Sequence, residues 1–388
     1  MFSFPGQNVI GVLSIYHRGG VGSAVRAALA YVKAVARRLR FLKASMVFAI
    51  MFTSNYYVRA KTVSGTFLRK GYDMKVALME SLGISDEELV ALEAPLKQQG
   101  VEFASYDRTT DKETLIREAS DKDVMILANM PMPADVIAAC PQLKFIDVAF
   151  TGVDHVGLSA AKAAGIAVSN ASGYSNEAVP ELVIGMVLSW LRNMRAVEDR
   201  CRAGKTKQGL VGSELKSKTV GIIGLGNIGS RSAELFHAFG ANVIGPDQHW
   251  HDSNASYIKK VTMEELLKTS DIVVLHCPLN DSTRGMIGKE QLALMKPTAL
   301  LVNAARGPVV VTQDLADALN QGTIGGACLD VFDNEPPLDP SMPLLNTPNT
   351  LVTPHVAFAT KESMTLRAQI VFDNLISWMN GNQKNVIL

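Results

Sequence analysis

From residue 75 onward, short apolar runs alternate with helical stretches. This alternation is typical of α/β folds, in which helices cover the faces of a parallel sheet. The sequence therefore predicts the α/β fold class, with a flavodoxin-like first unit and a second unit that begins near residue 219. The runs predicted as strands are 76–79, 101–105, 124–128 and 145–150 in the first unit, and 219–224, 241–245, 271–277, 298–303, 326–332 and 350–353 in the second.

Helix signals separate these runs. Ser85 and Glu88 form a capping box, which predicts a helix through about Gln99. A longer helical pattern covers 176–203, and we expect one helix there that connects the two units and packs against a partner. The last amphipathic stretch, 360–380, is expected to fold back onto the first unit.

The first 73 residues differ from the rest of the chain. They hold eleven Lys and Arg residues and one acidic residue, whereas the remainder has 27 basic and 36 acidic residues. An Arg-rich, acid-poor segment resembles a transit peptide. We favour a spurious or dispensable extension, because Met74 is a natural start for a first strand. The apolar stretch 44–52 is too short to span a bilayer, which needs about 20 residues.

The composition excludes several classes of function. A formal net charge of +1 gives no reason to bind nucleic acid or an anionic membrane. The four cysteines form no CxxC pair and no metal-ligand spacing, so no metal site is predicted. Cys277 and Cys328 lie in apolar runs, where a free cysteine behaves as a small hydrophobic residue. A reducing, cytoplasmic location is expected, or an organelle if the extension is a true targeting signal.

A glycine-rich segment lies between a predicted strand and a predicted helix. Gly224, Gly226 and Gly229 form G-x-G-x-x-G, a pattern that permits a tight turn, approach of a pyrophosphate and close packing of helix on strand. The helix N-terminus supplies free N–H groups for the phosphates. Asp247, 21 residues after Gly226, is placed to bind the adenosine ribose. We therefore expect a dinucleotide site that prefers NAD, although Asp247 could also be a solvated turn residue.

Three polar residues follow predicted strands of the second unit. Arg306, Glu335 and His355 come after 298–303, 326–332 and 350–353. Because ligands bind beyond the carboxyl ends of parallel strands, these side chains are candidates for a reaction centre. Each could instead be an ordinary turn or loop residue. Three of them beside a dinucleotide loop favour catalysis.

The chemistry of these side chains suits reduction of a 2-oxo acid. His355 can donate a proton, since imidazole changes charge near neutral pH. Glu335 could favour the imidazolium and orient the ring. Arg306 offers a planar fork for a carboxylate and can polarise the carbonyl.

From 74 to 388 the chain resembles the D-isomer-specific 2-hydroxyacid dehydrogenases. The resemblance implies two flavodoxin-like or Rossmann-like domains with the active site in the cleft between them, and usually a homodimer. The domains expected are the extension at 1–73, a substrate domain at 74–172 plus 356–388, and an NAD-binding domain at 173–355. The matching stretches are FTGVDHVGL (150–158), GYSNEAVPE (173–181), GIIGLGNIG (221–229), HCPLNDST (276–283), LVNAARGPVV (301–310), LDVFDNEPP (329–337) and TPHVA (353–357).

The resemblance also implies roles for individual residues. His355 is the expected general acid/base, Glu335 its partner and Arg306 the substrate-orienting cation. The other implied contacts are Thr151 and Gly152 to the substrate carboxylate, Asn227 and Ile228 to the pyrophosphate, Cys277, Pro278 and Thr283 to the adenosine side, and Ala304, Ala305 and Asp330 to the nicotinamide.

The expected function is NAD-dependent interconversion of a small 2-oxo acid and its D-2-hydroxy acid. Phe150 stands where a basic residue would help to bind a phosphorylated substrate, so an uncharged substrate tail is favoured. Glyoxylate, hydroxypyruvate, pyruvate and branched 2-oxo acids all remain open. The alternative is an NAD-sensing binding protein of the corepressor kind on the same fold.

Overall fold

The computed structural model describes residues 73–246, 250, 255–333 and 338–388. The N-terminal extension up to residue 72 lies outside the described residues, as do two predicted site residues, Asp247 and Glu335. None of the described helices is both long and apolar enough to cross a membrane.

The first sheet has five parallel strands in the order β2-β1-β3-β4-β5, the flavodoxin-like order. β3 and β4 are buried along their length because helices cover both faces of the sheet, and their residues are apolar except Asp147, which accepts a hydrogen bond from the Asn374 side chain. The predicted capping box of Ser85 and Glu88 is confirmed at the start of α1. The bounds are β1 Met74–Leu78, α1 Asp86–Lys97, β2 Val101–Ser105, α2 Lys112–Ala119, β3 Val124–Leu127, α3 Ala134–Ala138, β4 Phe145–Val148, α4 Leu158–Ala163 and β5 Ala167–Asn170.

The second sheet has seven parallel strands in the order β12-β11-β10-β9-β6-β7-β8. With the first sheet, it confirms the predicted α/β class with two parallel sheets. The bounds are α5 Ala178–Leu191, α6 Met194–Arg202, β6 Thr219–Ile223, α7 Asn227–Ala238, β7 Asn242–Pro246, β8 Lys259–Val261, α8 Met263–Thr269, β9 Ile272–Leu275, α9 Lys289–Leu294, β10 Leu300–Asn303, α10 Thr312–Asn320, β11 Gly326–Leu329, α11 Pro343–Asn346 and β12 Thr350–Val352.

The prediction of a single helix over 176–203 is wrong. α5 ends at Leu191 and α6 begins at Met194, because Asn193 adopts a left-handed backbone with φ of 52°. Asparagine tolerates this conformation better than most residues, so it can interrupt the helix without glycine. Pro180 lies in the first turn of α5, where its missing N–H leaves no helical hydrogen bond unmade.

The last helix, α12 (Lys361–Met379), packs on the first sheet. Val371, Phe372 and Leu375 belong to the same buried core as the strands of that sheet. The ring of Trp378 stacks on Phe145 of β4 with 4.8 Å between centroids. The chain therefore returns to the first sheet after completing the second, as the amphipathic pattern indicated.

Candidate active site

A crevice opens in the second sheet between β6 and β9. These strands are neighbours, whereas β7 continues away on the other side of β6, so the strand order reverses here. Such a switch point is where doubly wound sheets bind ligands. The backbone N–H of His276, just after β9, donates to the carbonyl of Ile223 at the end of β6 (2.8 Å). The two strand ends are thereby held together beneath the crevice.

The glycine-rich loop fits a pyrophosphate. Gly224 has φ of +98°, and a Cβ there would lie 2.6 Å from the backbone N of Cys277. A Cβ on Gly229 would lie 1.9 Å from the carbonyl oxygen of Gly224. Gly226, at the N-terminal cap of α7, has open space where its Cβ would stand. The loop is therefore compact on the protein side and open on the outer side, as phosphate binding at a helix N-terminus requires.

A cavity of about 480 Å³ runs from this loop to the ends of β10, β11 and β12. It brings together residues that the sequence had placed in separate motifs. An adjoining cavity of about 380 Å³, on the side of β7, is lined by Gly224 and Thr283. The predicted residues that line the larger cavity are Thr151, Gly152, Gly226, Asn227, Ile228, Gly229, Cys277, Pro278, Ala304, Ala305, Arg306, Asp330 and His355.

Arg306 reaches across this cavity to the loop that follows β4. Its Nε donates to the Asp154 carboxylate at 3.0 Å, and its Nη1 donates to the carbonyl of Ala305 at 2.8 Å. Its Nη2 lies over Gly152, where a Cβ would be only 1.7 Å away. The carbonyl of Thr151 accepts a hydrogen bond from the Asn170 side chain at 2.7 Å, which fixes this loop. A guanidinium and a fixed backbone turn therefore face each other.

Asp330 anchors the segment that carries His355. Its carboxylate accepts hydrogen bonds from the Thr353 hydroxyl (2.6 Å) and from the backbone N–H groups of Val356 and Ala357 (both 2.9 Å). Its carbonyl accepts from the backbone N–H of His355 at 2.7 Å. These bonds hold His355 in a left-handed conformation with φ of 53°, which few residues other than glycine adopt. Burial raises the pKa of Asp330.

Aromatic rings surround the His355 side chain. Phe150 and Phe358 meet the imidazole edge-on, with centroid distances of 5.7 and 5.4 Å. Both rings line the cavity, as does Tyr174. Behind them the buried Arg367 places its guanidinium carbon 5.7 to 5.9 Å from the three ring centroids, within cation–π range. The wall beside the imidazole is thus aromatic and backed by a positive charge.

Several of these groups were not predicted from the sequence. Asp154 and His276 lie inside motifs that match the family, so the motifs could have indicated them, although their residue types alone did not. Tyr174 lies in a matching motif as well. Arg367 lies outside every matching motif and occurs in an otherwise ordinary amphipathic helix. Only its three-dimensional packing distinguishes it.

Cys277 and Cys328 are both buried, but only Cys328 lies in a strand, because β9 ends at Leu275. Burial raises the pKa of Cys277 to about 11 and that of Cys328 to about 12. Both therefore remain thiols at neutral pH and act as small apolar residues. No group of His, Cys, Asp or Glu suited to holding a metal occurs among the described residues.

His276 packs beneath the glycine-rich loop, and its Nε2 lies 2.8 Å from the hydroxyl of the buried Ser232. Burial lowers the pKa of this imidazole to about 4. An unfolded histidine titrates near 6.5, so between these values the unfolded chain binds more protons than the folded chain. The contribution of His276 to stability is complete above about pH 6.5 and is lost as the pH falls towards 4.

We expect His276→Asn to weaken the pH dependence of stability. Between pH 7 and pH 5 the wild-type histidine should account for about 2 kcal/mol of lost unfolding free energy, and the variant lacks that part. Urea unfolding of both proteins at the two pH values measures it. An equal loss in both proteins would mean that His276 is protonated as easily in the folded state as in the unfolded one.

The parallel sheets and the glycine-rich loop at the switch point define a dinucleotide-binding protein of the doubly wound α/β class. The family model described as "D-isomer specific 2-hydroxyacid dehydrogenase, NAD binding domain" matches residues 184–357. The chain belongs to the D-isomer-specific 2-hydroxyacid dehydrogenase family. Its cofactor is NAD, in agreement with the form of the glycine-rich loop.

Curated relatives and solved structures agree with this family. A hydroxypyruvate reductase of Blautia hydrogenotrophica is 35% identical over 73% of this chain and 90% of its own length. A glycerate dehydrogenase of Methylorubrum extorquens is 37% identical over 74% of this chain and 92% of its own length. The structure of a D-lactate dehydrogenase from Aquifex aeolicus with NAD and lactic acid has a TM-score of 0.70 and 26% identity, covering 79% of this chain and 96% of that one.

Proposed function

We propose that this chain interconverts a small 2-oxo acid and its D-2-hydroxy acid. The observation that carries the proposal is a single cavity lined by the glycine-rich loop, Arg306, the Thr151–Gly152 turn and His355. Bound NADH supplies the hydride for reduction, and bound NAD accepts it in the reverse direction.

Each of the site residues has a separate role in this proposal. Arg306 and the N–H groups of Thr151 and Gly152 bind the substrate carboxylate, and the guanidinium also polarises the carbonyl. His355 donates a proton to the carbonyl oxygen during reduction and accepts it during oxidation. Glu335 is proposed to support the imidazolium. The support for these roles is the meeting of the described groups at the carboxyl ends of β10, β11 and β12.

The proposed substrate has a short, uncharged side chain. Phe150, Tyr174 and Phe358 fill the wall beside His355 with rings, which leaves room for a small substituent, and these three side chains present no charge to the cavity. The names of the two curated relatives, a hydroxypyruvate reductase and a glycerate dehydrogenase, support a three-carbon acid, and those of the glyoxylate reductases of Thermofilum pendens and Aeropyrum pernix support a two-carbon acid. We therefore propose glyoxylate or hydroxypyruvate as the substrate to be reduced.

A homodimer in the cytoplasm completes the proposal. The apolar residues of α5, which the sequence interpretation assigned to a partner contact, are mostly packed in the core of the second sheet of this chain, so the support for the dimer is the family resemblance. Sedimentation of the purified protein measures the assembly.

Oxidation of NADH in the presence of a panel of 2-oxo acids tests this function. We expect glyoxylate and hydroxypyruvate to be reduced with kcat/KM at least about tenfold above that of branched 2-oxo acids, because the aromatic wall rejects bulk. The absorbance of NADH follows the reaction, and chiral chromatography identifies the D-product. Binding of NADH without turnover of any acid in the panel would instead favour the NAD-sensing protein.

A further inference from the structure

One charged contact joins the loop after β4 to the loop after β10. Asp154 and Arg306 are 152 residues apart in sequence, and they belong to loops of different sheets. Their side chains are 31% and 23% exposed, so the contact lies at the cavity wall and not in a core. Both residues line the larger cavity.

The contact determines which donors of Arg306 remain available. Nε is taken by Asp154 and one hydrogen of Nη1 by the carbonyl of Ala305. Nη2 lies against Gly152, the residue proposed to bind the substrate carboxylate. The guanidinium is thereby held on two sides, with Nη2 beside Gly152.

The Asp154–Arg306 contact matters more for the orientation of the guanidinium than for the stability of the fold. An ion pair with this exposure contributes little to folding, typically less than about 1 kcal/mol. A charge-assisted hydrogen bond nevertheless fixes a direction, and a guanidinium that must meet a carboxylate on two atoms is sensitive to direction. Loss of the Asp154 carboxylate should therefore affect substrate use much more than stability.

We propose that Asp154 is a positioning residue that orients Arg306 for the substrate, a role that rests on the proposed function. It acts through the guanidinium and takes no part in the transfer of the hydride or of the proton from His355. A carboxylate is needed less for its charge than for an oxygen at this place, so an asparagine in the same position keeps an acceptor for the Nε–H.

Two substitutions at residue 154 test the proposal in the full chain with NADH and glyoxylate. Asp154→Ala should lower kcat/KM by about tenfold to hundredfold, the loss expected when a hydrogen bond to a charged group is removed. Asp154→Asn should stay within about fivefold of wild type. The NADH dissociation constant should be unchanged in both. The matched control is Glu198→Ala, which removes an exposed partner of Arg202 on α6 and should change nothing.

A double-mutant cycle shows whether Asp154 acts through Arg306. In an Arg306→Lys background, which keeps the charge and loses the fork, Asp154→Ala should cost less than about threefold more. Coupling of this kind is not produced by a general effect on folding. Wild-type activity in Asp154→Ala, or an equal loss in the lysine background, overturns the proposal.

The failure of the proposed function would be recognised separately. A wild-type chain that reduces no 2-oxo acid removes that function, and Asp154 is then judged by calorimetric binding of oxalate to the NADH-loaded protein. The proposal expects Asp154→Ala to weaken oxalate binding by about tenfold or more, with Asp154→Asn close to wild type. Equal oxalate binding in all three proteins, or none in the wild type, overturns it.

Discussion

Replacement of His355 by glutamine should lower kcat by about three orders of magnitude, within the range that general acid–base catalysis contributes. Glutamine keeps a hydrogen-bonding amide of similar length but neither donates nor accepts a proton near neutral pH. The backbone around residue 355 should survive the change, because Asp330 holds it through main-chain and Thr353 contacts. NADH affinity should therefore stay within about twofold of wild type, since the glycine-rich loop is untouched.

Steady-state kinetics with glyoxylate and fluorescence titration of NADH measure the two quantities. The matched control is His237→Gln, which alters an exposed imidazole stacked on Tyr257 at 4.1 Å, away from the cavity. It should have wild-type kcat. Near-normal turnover of His355→Gln would show that His355 is not the general acid/base of the reaction.

The second large effect is expected at Gly229. In Gly229→Ala the new Cβ would lie 1.9 Å from the carbonyl oxygen of Gly224, and this neighbour is backbone that cannot rotate away. α7 must move off β6, which carries its N-terminus away from the phosphate position. We expect NADH affinity to fall by at least about a hundredfold, or roughly 3 kcal/mol of binding free energy.

Isothermal titration with NADH measures this loss, and circular dichroism checks that the variant is folded. The control is Gly185→Ala in α5, where a Cβ would meet no atom within 4 Å and alanine favours a helix. That variant should bind NADH like wild type. Tight NADH binding by Gly229→Ala would show that the phosphate site does not depend on close packing between the glycine-rich loop and α7.

The fold could be predicted where burial imposes a pattern. Strands β3, β9 and β10 are buried on both faces, so their sequences are continuous apolar runs that stand out. The edge strand β8, with two exposed lysines, has no such pattern and was not predicted. The sequence periodicity predicted one helix across Asn193. A single left-handed residue interrupts a helix without altering the apolar pattern, so the break was missed.

Part of the candidate site could be predicted from the sequence because of the topology of the sheet. Arg306 and His355 each follow a strand, and parallel strands deliver such residues to the same edge. Asp154 and Arg367 contact segments that are distant in sequence, so spacing does not reveal them. The choice of Asp330 for the nicotinamide came from the family resemblance, and the structure adds that its carboxylate already binds the His355 segment.

The central claim is that Arg306, His355 and the dinucleotide site serve one cleft. A crystal structure of the chain with NAD and oxalate tests it most directly. We expect the pyrophosphate on the glycine-rich loop, the nicotinamide in the larger cavity, and oxalate bound by Arg306 and the Thr151–Gly152 turn beside His355. Oxalate bound away from Arg306 and His355, or a nicotinamide outside that cavity, would show that these groups do not serve one cleft.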